Sequence, residues 1–274
     1  MSLSLTNSFV KIPATKALSA FGNSIISKRN ISRTVPNHFF FGKKPEKFEV
    51  KRVEIPNATW KKGTPQKIPS GKIISYEPKD IFNMIKFTKG TLLSATTLVS
   101  TVSADGVANT APFAFCNCIC PNPPIISITV HKKPDGSLKD TQVNIDATKE
   151  FGVSIVSDWF LESAISTNAN LPPEEDEFEK IGITKMPSSV IKAPLPAQSA
   201  VSFECKVVSS TTFTDENGNE TSVVYNGQVV KIHANEEFYN NKTGEFDYEK
   251  FNLIARVDGH YSKINNIINV DFVK

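Results

Sequence analysis

The chain has 274 residues, 39% of them hydrophobic and 22% charged, which is enough apolar mass for a sizeable core and an ordinary charge load for a globular protein. No apolar run reaches the roughly 20 residues of a bilayer-spanning helix, and the longest, Leu92–Val102, is broken by Ser and Thr. The formal charge of +3 is unevenly placed: residues 1–45 hold seven Lys/Arg and no acid, so the other 24 basic and 28 acidic side chains give about −4, no electrostatic footprint for nucleic acid.

Residues 1–45 combine that basic charge with Ser, Thr, Asn and scattered apolar side chains, the composition of an organellar transit peptide. Frequent basic residues and phenylalanines favour a mitochondrial destination over a plastid one, with an uncleaved basic tail on a cytoplasmic protein as the alternative. Residues 46–75 carry Pro56, Pro65, Pro69, Gly63 and Gly71 without periodicity and read as a linker or arm. The domain proper is expected over 76–274. It opens with a short helix over Glu77–Ile85, where Pro78 suits the first turn.

From Thr91 the pattern becomes that of strands. Six are expected: Thr91–Val102, Val107–Ile119, Ile125–Val130, Phe151–Val156, Ala200–Ser210 and Thr221–Ile232. Asp105-Gly106 between the first two is a hairpin signal, because glycine accepts positive φ. Helices are expected at Lys139–Thr148, at Asp158–Asn168 with Asp158 as N-cap, and at Asp176–Ile181. Many strands with few helices predict a mainly β antiparallel barrel. Cys116, Cys118 and Cys120 would share one face of a strand. Without a paired histidine pattern or C-x2-C spacing they read as reduced, packed thiols rather than as a metal site.

No nucleophile elbow, H-E-x-x-H, Walker loop or Rossmann glycine pattern occurs, so no side chain is assigned a catalytic role. Chemistry carried by a cofactor fits this absence. Two segments suit a cofactor. In Asn109–Asn117, Pro112 removes a ladder donor and implies an edge or irregular backbone beside small residues. In Lys139–Ile145, a lysine and a threonine two residues apart at a helix start offer charge, hydroxyl and free N–H groups to a phosphate, although a capped helix and a strand bulge would look the same in sequence.

Together, the run Val99–Phe115 (VSTVSADGVANTAPFAF), Pro123-Pro124, Lys139-Asp140-Thr141 with Asn144-Ile145, Asp176-Glu177-Phe178, Glu204-Cys205, Gly227-Gln228-Val229-Val230 and Ala255-Arg256 followed by Tyr261 resemble the flavin reductase-like, FMN-binding split-barrel family, colinearly over about residues 75–265. The resemblance implies a six-stranded antiparallel split β-barrel with inserted short helices, a homodimer, and bound FMN, with FAD as the alternative. It implies NAD(P)H as the electron donor to an unidentified acceptor. Carried over by position, Asn109, Thr110, Ala111, Pro112, Phe113 and Ala114 border the flavin ring through backbone groups, Ser100 and Thr101 lie near the ring or ribityl chain, and Lys139, Thr141 and Asn144 hold the phosphate. Tyr261 is a weaker pocket candidate. Where relatives carry Arg-Pro this chain has Ser94-Ala95, and where they carry Ser it has Ala114. The resemblance leaves open a flavin oxidoreductase, a non-catalytic flavin carrier, and a barrel that has become an interaction module.

Overall fold

A computed structural model describes residues 50–53, 61, 63–75 and 81–268. The expected targeting leader and the expected helix start around Pro78 lie outside the described residues. Seven antiparallel strands form the main sheet: β1 (Thr97–Val102), β2 (Ala108–Phe113), β3 (Cys116–Pro121), β4 (Pro124–His131), β5 (Glu150–Ile155), β6 (Val201–Thr214) and β7 (Glu220–Ala234). Their order is β2-β1-β5-β6-β7-β4-β3. Helices α1 (Ile81–Thr91), α2 (Asp140–Thr148), α3 (Leu161–Ser166), α4 (Glu177–Ile181) and α5 (Tyr248–Phe251) decorate it, and among the described residues no helix is long and apolar enough to cross a membrane.

The expected count of six strands is corrected to seven, and the reason is local. Val107–Ile119 is not one strand: Ala114 and Phe115 divide it into β2 and β3, which occupy opposite edges of the sheet. Seven strands spaced about 4.8 Å apart would separate the edges of a flat sheet by roughly 29 Å. Two intervening residues span only about 11 Å. The sheet must therefore curl until its edges meet at this corner, yet no ladder joins β2 to β3 and the roll stays open. Thr97 Oγ1 donates to the Phe113 carbonyl at 3.0 Å and the Thr129 N–H to the Phe115 carbonyl at 3.0 Å, so both sides of the corner are fastened.

Alternation along the strands fills the concave side. Val99, Phe113, Ile126, Ile128, Val130, Phe151, Val153, Cys205, Val223 and Tyr225 form one core, and Ile145 of α2 plugs it. Gly227 is required here by space: a Cβ would stand 2.5 Å from Phe151 Cζ and 2.9 Å from Cys205 Cβ. On the convex side, Leu98 and Ala108 pack under Phe160, Ala164 and Phe178 from the helical layer. The convex face also carries Glu204, fully buried, whose carboxylate accepts the N–H groups of Ser189 (2.7 Å), Val190 (2.6 Å) and Ile191 (2.9 Å) and the Nε2–H of His233 (2.6 Å). Burial alone would push this carboxyl up, but the four donors outweigh it and hold it below its ordinary range.

Other boundaries move for identifiable reasons. Thr91 ends α1, and Ser94–Ala95 pairs with Ile254–Val257 in a separate small sheet, so the main strand starts at Thr97. Asp158–Asn168 is a 3-10 turn (Asp158–Phe160) running into α3. Ser157, not Asp158, occupies the N-cap position, and Phe160 at φ −135° breaks the helix between the two parts. Asp176 does cap α4, its side chain accepting the Glu179 N–H at 3.2 Å. Within 46–75, Lys51–Val53 pairs in parallel with Asn266–Ile268, so that part of the arm is a strand. A bulge between Cys118 and Cys120 takes Cys120 out of the row of three thiols; of the other two, Cys116 packs against the core and Cys118 is exposed.

Candidate functional site

Two of the sequence segments meet at the hairpin end of β2. Register pairs Thr101 with Asn109 and Ser100 with Thr110 across β1 and β2. Helix α2 lies over that end, turning Thr141 and Asn144 toward the strands. Asn109 Oδ1 accepts from Thr101 Oγ1 and from Thr141 Oγ1, each at 3.2 Å, and Asn144 Nδ2 donates to Thr101 Oγ1 at 3.0 Å. Ser100 and Thr110 hydroxyls lie 3.4 Å apart. All six side chains are buried. Their hydrogen-bonding capacity is largely spent on one another, and each such bond contributes about 1 kcal/mol while fixing the geometry of its neighbours.

Thr141 and Asn144 thus serve as struts between helix and sheet, leaving the backbone of the helix start and Lys139 as the groups open to a ligand. Lys139 is the N-cap residue of α2, half-buried, in extended conformation and with no side-chain cap hydrogen bond. Burial, then the charge of nearby Lys133, holds its ammonium below the ordinary lysine range. Lys133 itself pairs loosely with Asp140 at 3.8 Å. Desolvation and the Lys139 charge likewise push His131 down. The His131 ring meets Phe115 edge-on at 5.1 Å and 82°. The corner that closes the sheet therefore carries an aromatic ring and an imidazole, with the Lys139 charge near enough to act on the imidazole.

Between the corner and the buried network runs β2 itself. It is an edge strand, so one side of its backbone carries ladder groups without a strand partner. Ala111, Pro112 and Ala114 are half-buried and Phe113 is in the core. A small cavity of about 130 Å³ beside Ala114 and Phe115 is also lined by Ser94 and Arg256. Arg256 stands opposite Ser94 in the ladder and lies 5.9 Å from the Tyr261 ring centroid. Tyr261 lines neither this cavity nor the buried network. A larger apolar cleft of about 560 Å³, lined by Ile155, Phe203, Phe246 and Phe251, shares Leu93 and Ser94 with it.

Two residues of this region carried no assigned role in the sequence. His131 meets Phe115 as a diagonal neighbour across the β3–β4 pairing, which sets Thr129 opposite Phe115, and it carried no motif that marked it out. Glu177, part of the quoted Asp176-Glu177-Phe178 run, accepts from Asn109 Nδ2 at 2.7 Å across 68 residues of sequence. It is buried, and burial first, then the charges of Asp140 and Asp176, raises its carboxyl above the ordinary range. Its own backbone N–H, and then the hydrogen bond from Asn109, oppose that rise without cancelling it.

A family model described as "Flavin reductase like domain" matches residues 90–249. An uncharacterized protein of Aquifex aeolicus is 37% identical over 163 residues, covering 60% of this chain and 80% of the relative. The crystal structure of nitrilotriacetate monooxygenase component B from Bacillus cereus superposes with a TM-score of 0.68 at 28% identity, covering 73% of this chain and all of the other. Flavoredoxin of Desulfovibrio vulgaris (Miyazaki F) shares the fold, with a TM-score of 0.56 at 20% identity over 66% of this chain and 92% of that one.

Proposed function

The chain belongs to the flavin reductase-like domain family, and from that membership we propose that it binds FMN along β2 and passes electrons from NAD(P)H to an acceptor. The observation that carries the reading is the sorting of groups along one strand. The Phe115 corner brings Lys139 and His131 beside apolar and aromatic surface, while the edge backbone of β2 runs from there toward Asn109. A flavin mononucleotide is a flat ring with a phosphate, and this strip offers it a flat edge and a cationic end.

The residues fit the group in three respects. Lys139 and the first N–H groups of α2 suit a phosphate at a helix start. Small Ala111 and Ala114 allow a ring to approach the backbone, and Pro112, lacking an N–H, directs no donor at it. Ser100, Thr101, Thr110, Thr141 and Asn144 hold the strip rigid from behind, the arrangement that makes positioning effective. Flavin, when bound, supplies hydride chemistry that no side chain here provides. Exposed Phe115 and Ile119 beside the strip support a homodimer in which a second copy covers this face.

The test is an absorbance spectrum of the purified protein after incubation with FMN and desalting, followed by NADH and NADPH oxidation with FMN or FAD added. Retained flavin that Lys139→Ala weakens by about tenfold, with nicotinamide oxidation, supports the proposal. Retention without oxidation removes the reductase step and leaves a flavin carrier. Neither retention nor oxidation would refute flavin use altogether.

A further inference from the structure

At the end of β2 away from the Phe115 corner, a cleft of about 440 Å³ opens between the β1–β2 hairpin, α2 and the start of α4. Its size is that of a small-molecule site. Four carboxyl-bearing side chains line it, Asp105, Asp140, Glu174 and Glu177, together with the amides of Asn109 and Asn144. No Lys, Arg or His among the described residues lines it. Acidic side chains at a surface often mean nothing more than solvation, but Glu177 is different. It is 6% exposed, its Oε1 accepts from Asn109, and its Oε2 is buried without any hydrogen-bond partner. A buried carboxylate oxygen left unpaired is costly, and the negative neighbours raise that cost.

We propose that this cleft is a binding site for a small organic cation, a primary ammonium or a guanidinium group, whose N–H donors pair with Glu177 Oε2 while Asp105 and Glu174 attract it at the mouth. Three observations narrow the ligand. A bare metal ion lacks donors, because no group of three or more His, Cys, Asp or Glu side chains converges among the described residues. An anion is repelled by every charge lining the cleft. An ammonium or guanidinium supplies the directional donors that Oε2 lacks and the counter-charge that the site lacks. Because Asn109 joins Glu177 to Thr101 and Thr141, an occupied cleft also fixes the orientation of the Asn109 amide. The cleft shares Asn109, Asn144 and the first residue of α2 with the proposed flavin strip, but the proposal rests on Glu177 and the carboxylates around it and does not require flavin to be bound.

The full-length, nitrogen-labelled protein is titrated with n-butylammonium chloride, with n-butylguanidinium chloride and, as an uncharged control, with n-butanol, following backbone amide shifts. Both cations are expected to shift the amides of Val107, Asn109 and Asn144. Glu177→Gln keeps an acceptor for Asn109 but removes the charge, and lowers cation affinity by about tenfold. Asp105→Asn and Glu174→Gln, exposed at the mouth, each lower it about twofold. Equal shifts with n-butanol, unchanged cation affinity in Glu177→Gln, or no shift at these amides with either cation would overturn the proposal. If Glu177→Gln does not fold, the Asp105→Asn/Glu174→Gln double variant replaces it. A roughly fourfold loss then supports the site and an unchanged affinity rejects it.

Discussion

Replacing Gly227 with Ala adds one methyl group where the core has no room for it. The new Cβ would lie 2.5 and 2.7 Å from two ring carbons of Phe151 and 2.9 Å from Cys205 Cβ, all closer than van der Waals contact. Phe151 and Cys205 are both fully buried, and Phe151 packs among the side chains of the concave face. The ring cannot swing toward solvent, so relief must come from the backbone or from neighbouring rotamers. Overpacking of this kind costs about 1–3 kcal/mol, and three simultaneous close contacts place Gly227→Ala near 3 kcal/mol. At about 2–4 °C per kcal/mol for a domain of this size, the melting temperature falls by roughly 6–12 °C. Chemical denaturation with paired measurement of m-values separates this loss from a change in the unfolded state. The decisive control is Phe151→Leu, which withdraws the ring carbons from the clash. In the double variant the two costs are expected to be sub-additive by at least about 1 kcal/mol. A loss under about 0.5 kcal/mol for Gly227→Ala, or strict additivity with Phe151→Leu, would refute the close approach of β7 to Phe151.

Glu204→Gln trades a buried carboxylate for a neutral amide against four donors and is expected to cost about 3 kcal/mol at pH 7. Because the folded-state pKa of Glu204 lies below its unfolded value, its stabilisation is complete above about pH 4.5 and disappears as pH falls through the folded value. The gap between wild type and variant should therefore close in acid melts, and a gap independent of pH would count against the assignment. Asn109→Ala strips partners from Thr101, Thr141 and Glu177 at once, with an expected loss of about 2–3 kcal/mol in thermal unfolding. A near-neutral variant would mean that water replaces the amide. Cys116 is pushed up to about 11 by burial, against a hydrogen bond with Thr97, and Cys205 is pushed up by burial as well. At pH 8 about 0.1% of Cys116 would be thiolate. Brief maleimide labelling with peptide mapping should therefore find exposed Cys118 modified and Cys116 and Cys205 intact.

Much of the strand content could be read from local pattern because a strand with one buried face alternates along its own length. Ile126, Ile128 and Val130 announce the concave face of β4 without reference to any partner. The Asp105-Gly106 turn was likewise local, fixed by the φ preference of glycine. The division at Ala114 and Phe115 was not. Nothing in a run of apolar and small residues tells the chain to leave one sheet edge and join the other, and that decision rests on β3 pairing with β4 while β2 pairs with β1.

The candidate site divides along the same line. The sequence by itself fixed which segments carry Asn109, Thr141, Asn144 and Lys139, since their identities and their family pattern are one-dimensional facts. Only the tertiary structure decided what those side chains do. It turned Thr141 and Asn144 inward onto Asn109 and Thr101, and left Lys139 beside His131 at the corner. It also set Glu177 against Asn109 with one oxygen unmatched. The physical reason is that hydrogen-bond satisfaction in a buried site is settled by what curls into reach, across 68 residues for Asn109 and Glu177, and loop-closing contacts of that span leave no periodic trace in the chain.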